Sequence, residues 1–228
     1  MTFWILIIAL GIAGFAVQSV LKRKFTEYSR IPLSNGMTGR DVAMKMLNDS
    51  GIYDVKVIST PGELTDHYNP ANKTVNLSEG VYLSNSVAAA AVAAHECGHA
   101  VQHARSYAFL QMRSRLVPAV SFASKWVTWV ILGGLFLMNS FPTLIWIGIG
   151  LFAVTTLFTI VTLPVEINAS SRALAWLRTA GVTNSQIHGK AQDALKWAAY
   201  TYVVAAISSI ASLLYYVMIA MGGGSSDD

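Results

Sequence analysis

Apolar and polar positions along this chain segregate into long blocks. Residues 2–21, 126–165 and 197–226 carry no charge, and all sixteen Lys and Arg lie outside these three stretches. A helix needs about 20 apolar residues to cross about 30 Å of hydrocarbon, so the first and third blanks each predict one span. The middle blank is long enough for two, and Asn139-Ser140-Phe141-Pro142 supplies turn formers for a tight hairpin. Its first arm reaches spanning length only by starting near Val117 and carrying Lys125, whose stem can snorkel to the interface. The predicted spans are 2–21, 117–138, 142–163 and 197–220, with a helical segment over 164–196 and a flexible tail over 221–228.

Between the first two spans, residues 22–116 have the patterns of a small α+β domain. Thr38 followed by Asp41, with apolar Val42, Met44, Met46 and Leu47 and then Gly51, predicts a capped helix and its stop. Tyr53–Ser59 and Val75–Leu77 read as short strands, with Asp66–Lys73 as turn chemistry between them. From Ser86 the run SVAAAAVAAHECGHAVQHA predicts a helix by its density of Ala, capped by Asn85 or Ser86 and packed on nearly every face.

Composition sharpens this picture. The chain of 228 residues is 54% hydrophobic and 12% charged, against about a quarter charged in soluble domains, and its mean hydropathy is +0.48. That excludes a disordered chain, a collagen-like repeat and an ordinary soluble enzyme. Lys22, Arg23, Lys24, Arg30, Arg113, Arg115, Lys125, Arg172, Arg178, Lys190 and Lys196 all flank spans. With four crossings they fall on one side, the cytoplasmic side by the enrichment of cations there, and both termini and the Asn139–Pro142 turn face outward. The same rule accounts for the pI of about 9.2, so nucleic acid is not an expected partner. The first apolar stretch has no basic region before it and reads as a retained anchor. A single cysteine, Cys97, excludes an intramolecular disulfide framework.

The candidate chemistry is His95-Glu96-Cys97-Gly98-His99, an H-E-x-x-H match. On a helix the two histidines share a face and can hold one metal, with Glu96 beside them to act on water. Five His and five Glu in this chain would give the pattern by chance roughly 0.002 times. A catalytic zinc wants a third protein ligand. His103 is too far along the helix from His95, about 12 Å of rise; position 105, where some zinc proteases carry a third histidine, is Arg105; His67 and His188 lack a supporting pattern. Glu166 is the better candidate. It directly follows the third span and is the sole acid between Glu96 and Asp193, and a carboxylate at a membrane boundary needs a cation or strong hydrogen bonds. Cys97 reads as a packed thiol on the far side of the helix, and Gly98 as a point of close backbone approach.

Together HECGHAVQH, the preceding LTDHYNPANKTVNLSEGVYLSNS and the later LPVEINASSRAL resemble the YugP-like family of bacterial membrane zinc metallopeptidases, itself similar to the HtpX-type gluzincins. The resemblance covers nearly the whole chain. It implies a mainly α, polytopic membrane protein with four transmembrane helices and a small α+β zincin-like cytoplasmic domain. It further implies one Zn2+ per chain held by His95, His99 and Glu166, and Glu96 as catalytic base. Where the HtpX-type pattern carries an acid four residues after the ligand glutamate, this chain has Ser170; Asn168 or Ser170 then takes its supporting role. Arg172, His67 and Tyr68 are candidates for stabilising the transition state, and a strand near Val75–Leu77 for pairing with an extended substrate. The expected partners are the lipid bilayer and a peptide or membrane-protein substrate, and the expected location is the bacterial plasma membrane with the site on the cytoplasmic side. Competing readings are a zinc-stabilised adaptor, which would not need Glu96; a site-2-type intramembrane protease, which would need a Leu-Asp-Gly that does not occur here; and a transporter, which would need more polar spans.

Overall fold

The computed structural model describes residues 2–222, so the tail expected over 221–228 lies outside the described residues from 223 onward. In chain order the elements are α1 (Thr2–Tyr28), α2 (Gly39–Asp49), β1 (Lys56–Thr60), β2 (His67–Asn69), β3 (Thr74–Ser78), α3 (Glu79–Tyr82), α4 (Val87–Ala104), α5 (Ala108–Phe136), α6 (Thr143–Thr179) and α7 (His188–Gly222). They form two compact units, one made from residues 2–15, 112–163 and 202–222, the other from residues 16–111 and 164–201.

The first unit holds the apolar lengths of helix. Among the described residues α5, α6 and α7, of 29, 37 and 35 residues, are long and apolar enough to cross a bilayer. α5 and α6 form the hairpin expected around Asn139–Pro142. Gly134 and Gly148 let these two helices approach closely, because a Cβ at Gly134 would lie 2.6 Å from the Ile145 Cα and one at Gly148 2.8 Å from the Ile131 side chain. Ile131, Ile145 and Ile149 are buried there against Leu213, Tyr216 and Val217 of α7. Thr156 and Ser209 share a 2.8 Å hydrogen bond between α6 and α7. The outward positions are apolar as well, with Trp129, Phe136 and Leu214 exposed, as suits a lipid solvent rather than water.

The second unit is the α+β part. Thr38 caps α2 as a capping box: its hydroxyl accepts from the Asp41 N–H at 3.3 Å, and the Asp41 carboxylate accepts from the Thr38 N–H at 3.0 Å. Gly51, at φ +73°, follows the helix end. The sheet has strand order β1-β3-β2. β1 runs parallel to β3 from Lys56↔Thr74 to Thr60↔Ser78, and β2 runs antiparallel to it from His67↔Asn76 to Asn69↔Thr74. The Asp66–Lys73 stretch is therefore partly strand. β3 is buried at every position, paired with β1 along its whole length and with β2 over Thr74–Asn76, so the sheet edges open to an extended substrate belong to β1 and β2 rather than to Val75–Leu77.

α4 starts at Ser86, whose hydroxyl accepts from the Ala89 N–H at 3.2 Å. Its alanines are almost wholly buried, and the small side chains let α2, the sheet and the later helices close on it from several sides. The shared core draws Val42, Met46 and Leu47 from α2, Val75 and Leu77 from β3, Ala173 and Leu177 from α6, and Leu195 from α7. The Tyr28 hydroxyl at the end of α1 donates to Asp193 of α7 at 2.6 Å, and Lys24 pairs with the same carboxylate at 3.1 Å. Burial raises the Asp193 carboxyl, but its hydrogen bonds from Tyr28 and Lys24 outweigh that and hold it below the ordinary carboxylate range.

Thr38→Ala removes one half of the capping box and is expected to lower unfolding stability by about 1 kcal/mol, with Thr38→Ser restoring most of it. Gly39→Ala is expected to cost more, since its Cβ would sit 2.2 Å from the Val81 carbonyl oxygen. Denaturant unfolding of the detergent-solubilised chain checks both.

Candidate metal centre

His95 and His99 stand one turn apart on α4, with ring centroids 4.8 Å apart and ring planes at 84°. α6 delivers the acid. Pro164 lacks the N–H that would bond the Ile160 carbonyl, and two residues later Glu166 meets the histidines: its Oε2 lies 3.2 Å from His95 Nε2 and 3.5 Å from His99 Nε2. The ligand atoms of all three lie within 4.8 Å of one another. Zinc bonds of about 2.0–2.2 Å in a tetrahedron place neighbouring donor atoms about 3.3–3.6 Å apart, so the two Glu166 spacings lie within about 0.1 Å of those for a shared ion. The donor set of two imidazoles and one carboxylate is that of an open zinc site with room for water.

Close approach of the two helices makes this meeting geometrically available. A Cβ at Gly98 would lie 2.6 Å from the Ala169 carbonyl oxygen, so a side chain here would push α6 away from α4. Cys97 faces the other way, fully buried, with its thiol donating to the Ala43 carbonyl of α2 at 3.5 Å; burial raises this thiol well above its usual range.

The electrostatics follow from burial. Glu166 is 3% exposed and His99 8%. Burial pushes the Glu166 carboxyl up, but hydrogen bonds from His95 and His99 outweigh it and hold the group well below the carboxylate range. Burial lowers His99, but its hydrogen bond to Glu166 and the charge of Glu96 raise it on balance above the ordinary imidazole range.

Each histidine is also held at its second nitrogen. His95 Nδ1 lies 3.0 Å from Ser170 Oγ, and His99 Nδ1 lies 3.0 Å from Gln102 Oε1. Such contacts hold the ring orientations in which both Nε2 atoms lie towards Glu166. Gln102, 0% exposed, extends the contact to α6: its Nε2 donates to the Val165 carbonyl at 2.8 Å and to Asn168 Oδ1 at 3.0 Å. Asn168 Oδ1 also accepts from Arg172 Nε at 2.7 Å. Glu96 lies beside the pair, 8% exposed, where its charge acts on His99.

The structure therefore brings Ser170, Asn168 and Arg172 into contact with the group's surroundings. His67 and Tyr68 sit on the edge strand β2: His67 Nδ1 contacts the Thr65 carbonyl at 2.7 Å, and the Tyr68 hydroxyl meets His103 Nδ1 at 2.8 Å. His188 bonds Thr183. Gln102 was missed by sequence reasoning, although its spacing carried a signal: it lies three residues after His99 and seven after His95, on the same helical stripe.

A family model described as "Putative neutral zinc metallopeptidase" matches residues 2–221. The "Putative membrane protease YugP" of Bacillus subtilis (strain 168) is 42% identical over 217 residues, 95% of each chain. No solved structure matches. With nearly its full length matched by that family model and the motif resemblance carried through a relative of equal extent, the chain belongs to this zinc metallopeptidase family.

Proposed function

We propose that the protein is a membrane-embedded, zinc-dependent endopeptidase of the gluzincin type that cleaves peptide bonds of membrane or membrane-proximal proteins. The observation that carries this reading is the His95–His99–Glu166 group at ligand spacing, with Glu96 adjacent on the same helix. His95, His99 and Glu166 would hold one zinc per chain. Zinc, when bound, supplies Lewis acidity towards water and the scissile carbonyl. Glu96 takes the proton of the attacking water and delivers it to the leaving amine nitrogen. Ser170 keeps the His95 ring in place, and Tyr68, on the edge strand β2, stands as a donor to the substrate backbone.

In this reading α1 makes the fourth crossing, through its uncharged residues 2–21. The segments 22–116 and 164–196 then share the cytoplasmic side of a bacterial plasma membrane, and both termini lie outside. The support is the cation distribution, since fifteen of the sixteen Lys and Arg fall in these segments and the sixteenth, Lys125, lies in the adjoining half of the second span.

Glu96→Gln is expected to retain about one zinc per chain while kcat/KM for a peptide substrate falls at least about 100-fold; metal analysis paired with a cleavage assay on purified protein checks this, and retained cleavage would refute the role of Glu96. His99→Ala is expected to lose the metal. Zinc binding must displace the proton that His99 holds above the ordinary imidazole range, so apparent zinc affinity is expected to fall steadily as pH is lowered from about 8 to about 6. Chelator-competition titrations at several pH values measure that slope; a flat profile would contradict it.

A further inference from the structure

We propose that Arg172, acting through Asn168 and Gln102, sets which nitrogen of His99 faces the metal and fastens α4 to the segment of α6 that carries Glu166. The inference rests on the zinc-site reading above and adds three positioning residues to it. Its logic is the direction of hydrogen bonding. A guanidinium can only donate, so Arg172 Nε, 2.7 Å from Asn168 Oδ1, fixes that atom as the acceptor. The same oxygen then demands a donor from Gln102, which places the Gln102 amide nitrogen at 3.0 Å from it. A backbone carbonyl can only accept, and Val165 O, 2.8 Å from the same Nε2, demands the second amide hydrogen. Both independent constraints orient the amide identically. Gln102 Oε1 is left pointing at His99 Nδ1, 3.0 Å away, and requires a proton there. Nε2 of His99 is then the nitrogen that gives its lone pair to the metal.

Burial makes the orientation binding. Gln102 is fully buried, and each of its amide hydrogens and its carbonyl oxygen has one partner, so a flipped amide would set its oxygen against two acceptors, the Val165 carbonyl and Asn168 Oδ1. His95 has no such determinant, because its Ser170 partner can donate or accept. The two partners on α6, Val165 and Asn168, bracket Glu166 by one residue before and two after, so the same amide that orients one ligand also fixes the turn bearing another.

The test uses the full-length chain in detergent and reads zinc affinity by chelator competition, alongside histidine nitrogen NMR of the zinc-loaded protein. Gln102→Leu, Asn168→Leu and Arg172→Met are expected to weaken zinc binding, the first two by about 10–100-fold. Asn168→Asp keeps an acceptor for both Arg172 and Gln102 and is expected to stay within about 3-fold of the wild type, which a merely space-filling role for Asn168 would not require. In the wild type, Nδ1 of His99 is expected to carry the proton and Nε2 the metal; the reverse overturns the relay without any variant having to fold. Gln102→Leu binding zinc as tightly as the wild type, or Asn168→Asp binding as weakly as Asn168→Leu, also overturns it. His99→Ala separates the failures: if zinc affinity does not depend on His99, the zinc-site reading falls, whereas dependence on His99 with indifference to Gln102 overturns only the relay.

Discussion

A carboxylate 3% exposed to solvent cannot remain charged unless cations or hydrogen-bond donors surround it. Glu166 meets that condition through two imidazoles on a different helix, at 3.2 and 3.5 Å, and much of the surrounding structure serves to keep the three groups in register. Gly98 has no side chain because the Ala169 carbonyl occupies the space a Cβ would need. Gln102 gives up all solvent contact to join His99, Val165 and Asn168. The cluster resembles a buried ion pair in its energetics: removing one partner leaves an uncompensated charge, which is costly, while the intact set contributes little net stability. Its value lies in the donor geometry.

The first of the two units is the one that carries the candidate membrane-spanning lengths of α5, α6 and α7. Residues in the 112–163 stretch expose large apolar side chains such as Trp129 and Phe136, as suits a candidate membrane span. Past Pro164 the same helix α6 becomes amphipathic. Val165, Ala169, Ala173 and Leu177 are buried in the α+β unit, while Ile167, Ser171 and Ala175 are exposed. One continuous helix thus changes its packing partners at a proline, and the first charged residue after 40 uncharged ones, 126–165, is the one placed against the histidines.

Much of this was legible in the pattern of residues. Thr38 with Asp41, and Ser86 before an alanine run, give local hydrogen bonds that need no tertiary context, and both helix starts stand where these residues stand. Charge-free lengths of α5, α6 and α7 are equally local information. The strands were less so. Val75–Leu77 reads as a strand from composition, yet its position in the middle of the sheet depends on β1 and β2 pairing with it from either side, and that pairing is a long-range choice. His67–Asn69 lies inside a stretch rich in turn formers and became a strand because β3 offered it backbone partners.

By itself the sequence determined the histidine pair, since a spacing of four residues on a helix is enough to put His95 and His99 on one face, and it singled out Glu166 by the scarcity of other acids. Only the tertiary structure decided the rest. Glu166 lies 71 residues from His95 and Ser170 75 residues from it, and contacts across such separations depend on how helices pack rather than on any local period. The direction of the Arg172–Asn168–Gln102–His99 hydrogen bonds is decided in the same way. A buried amide takes its orientation from the donors and acceptors that folding brings to it, and no run of residues along the chain specifies that orientation in advance.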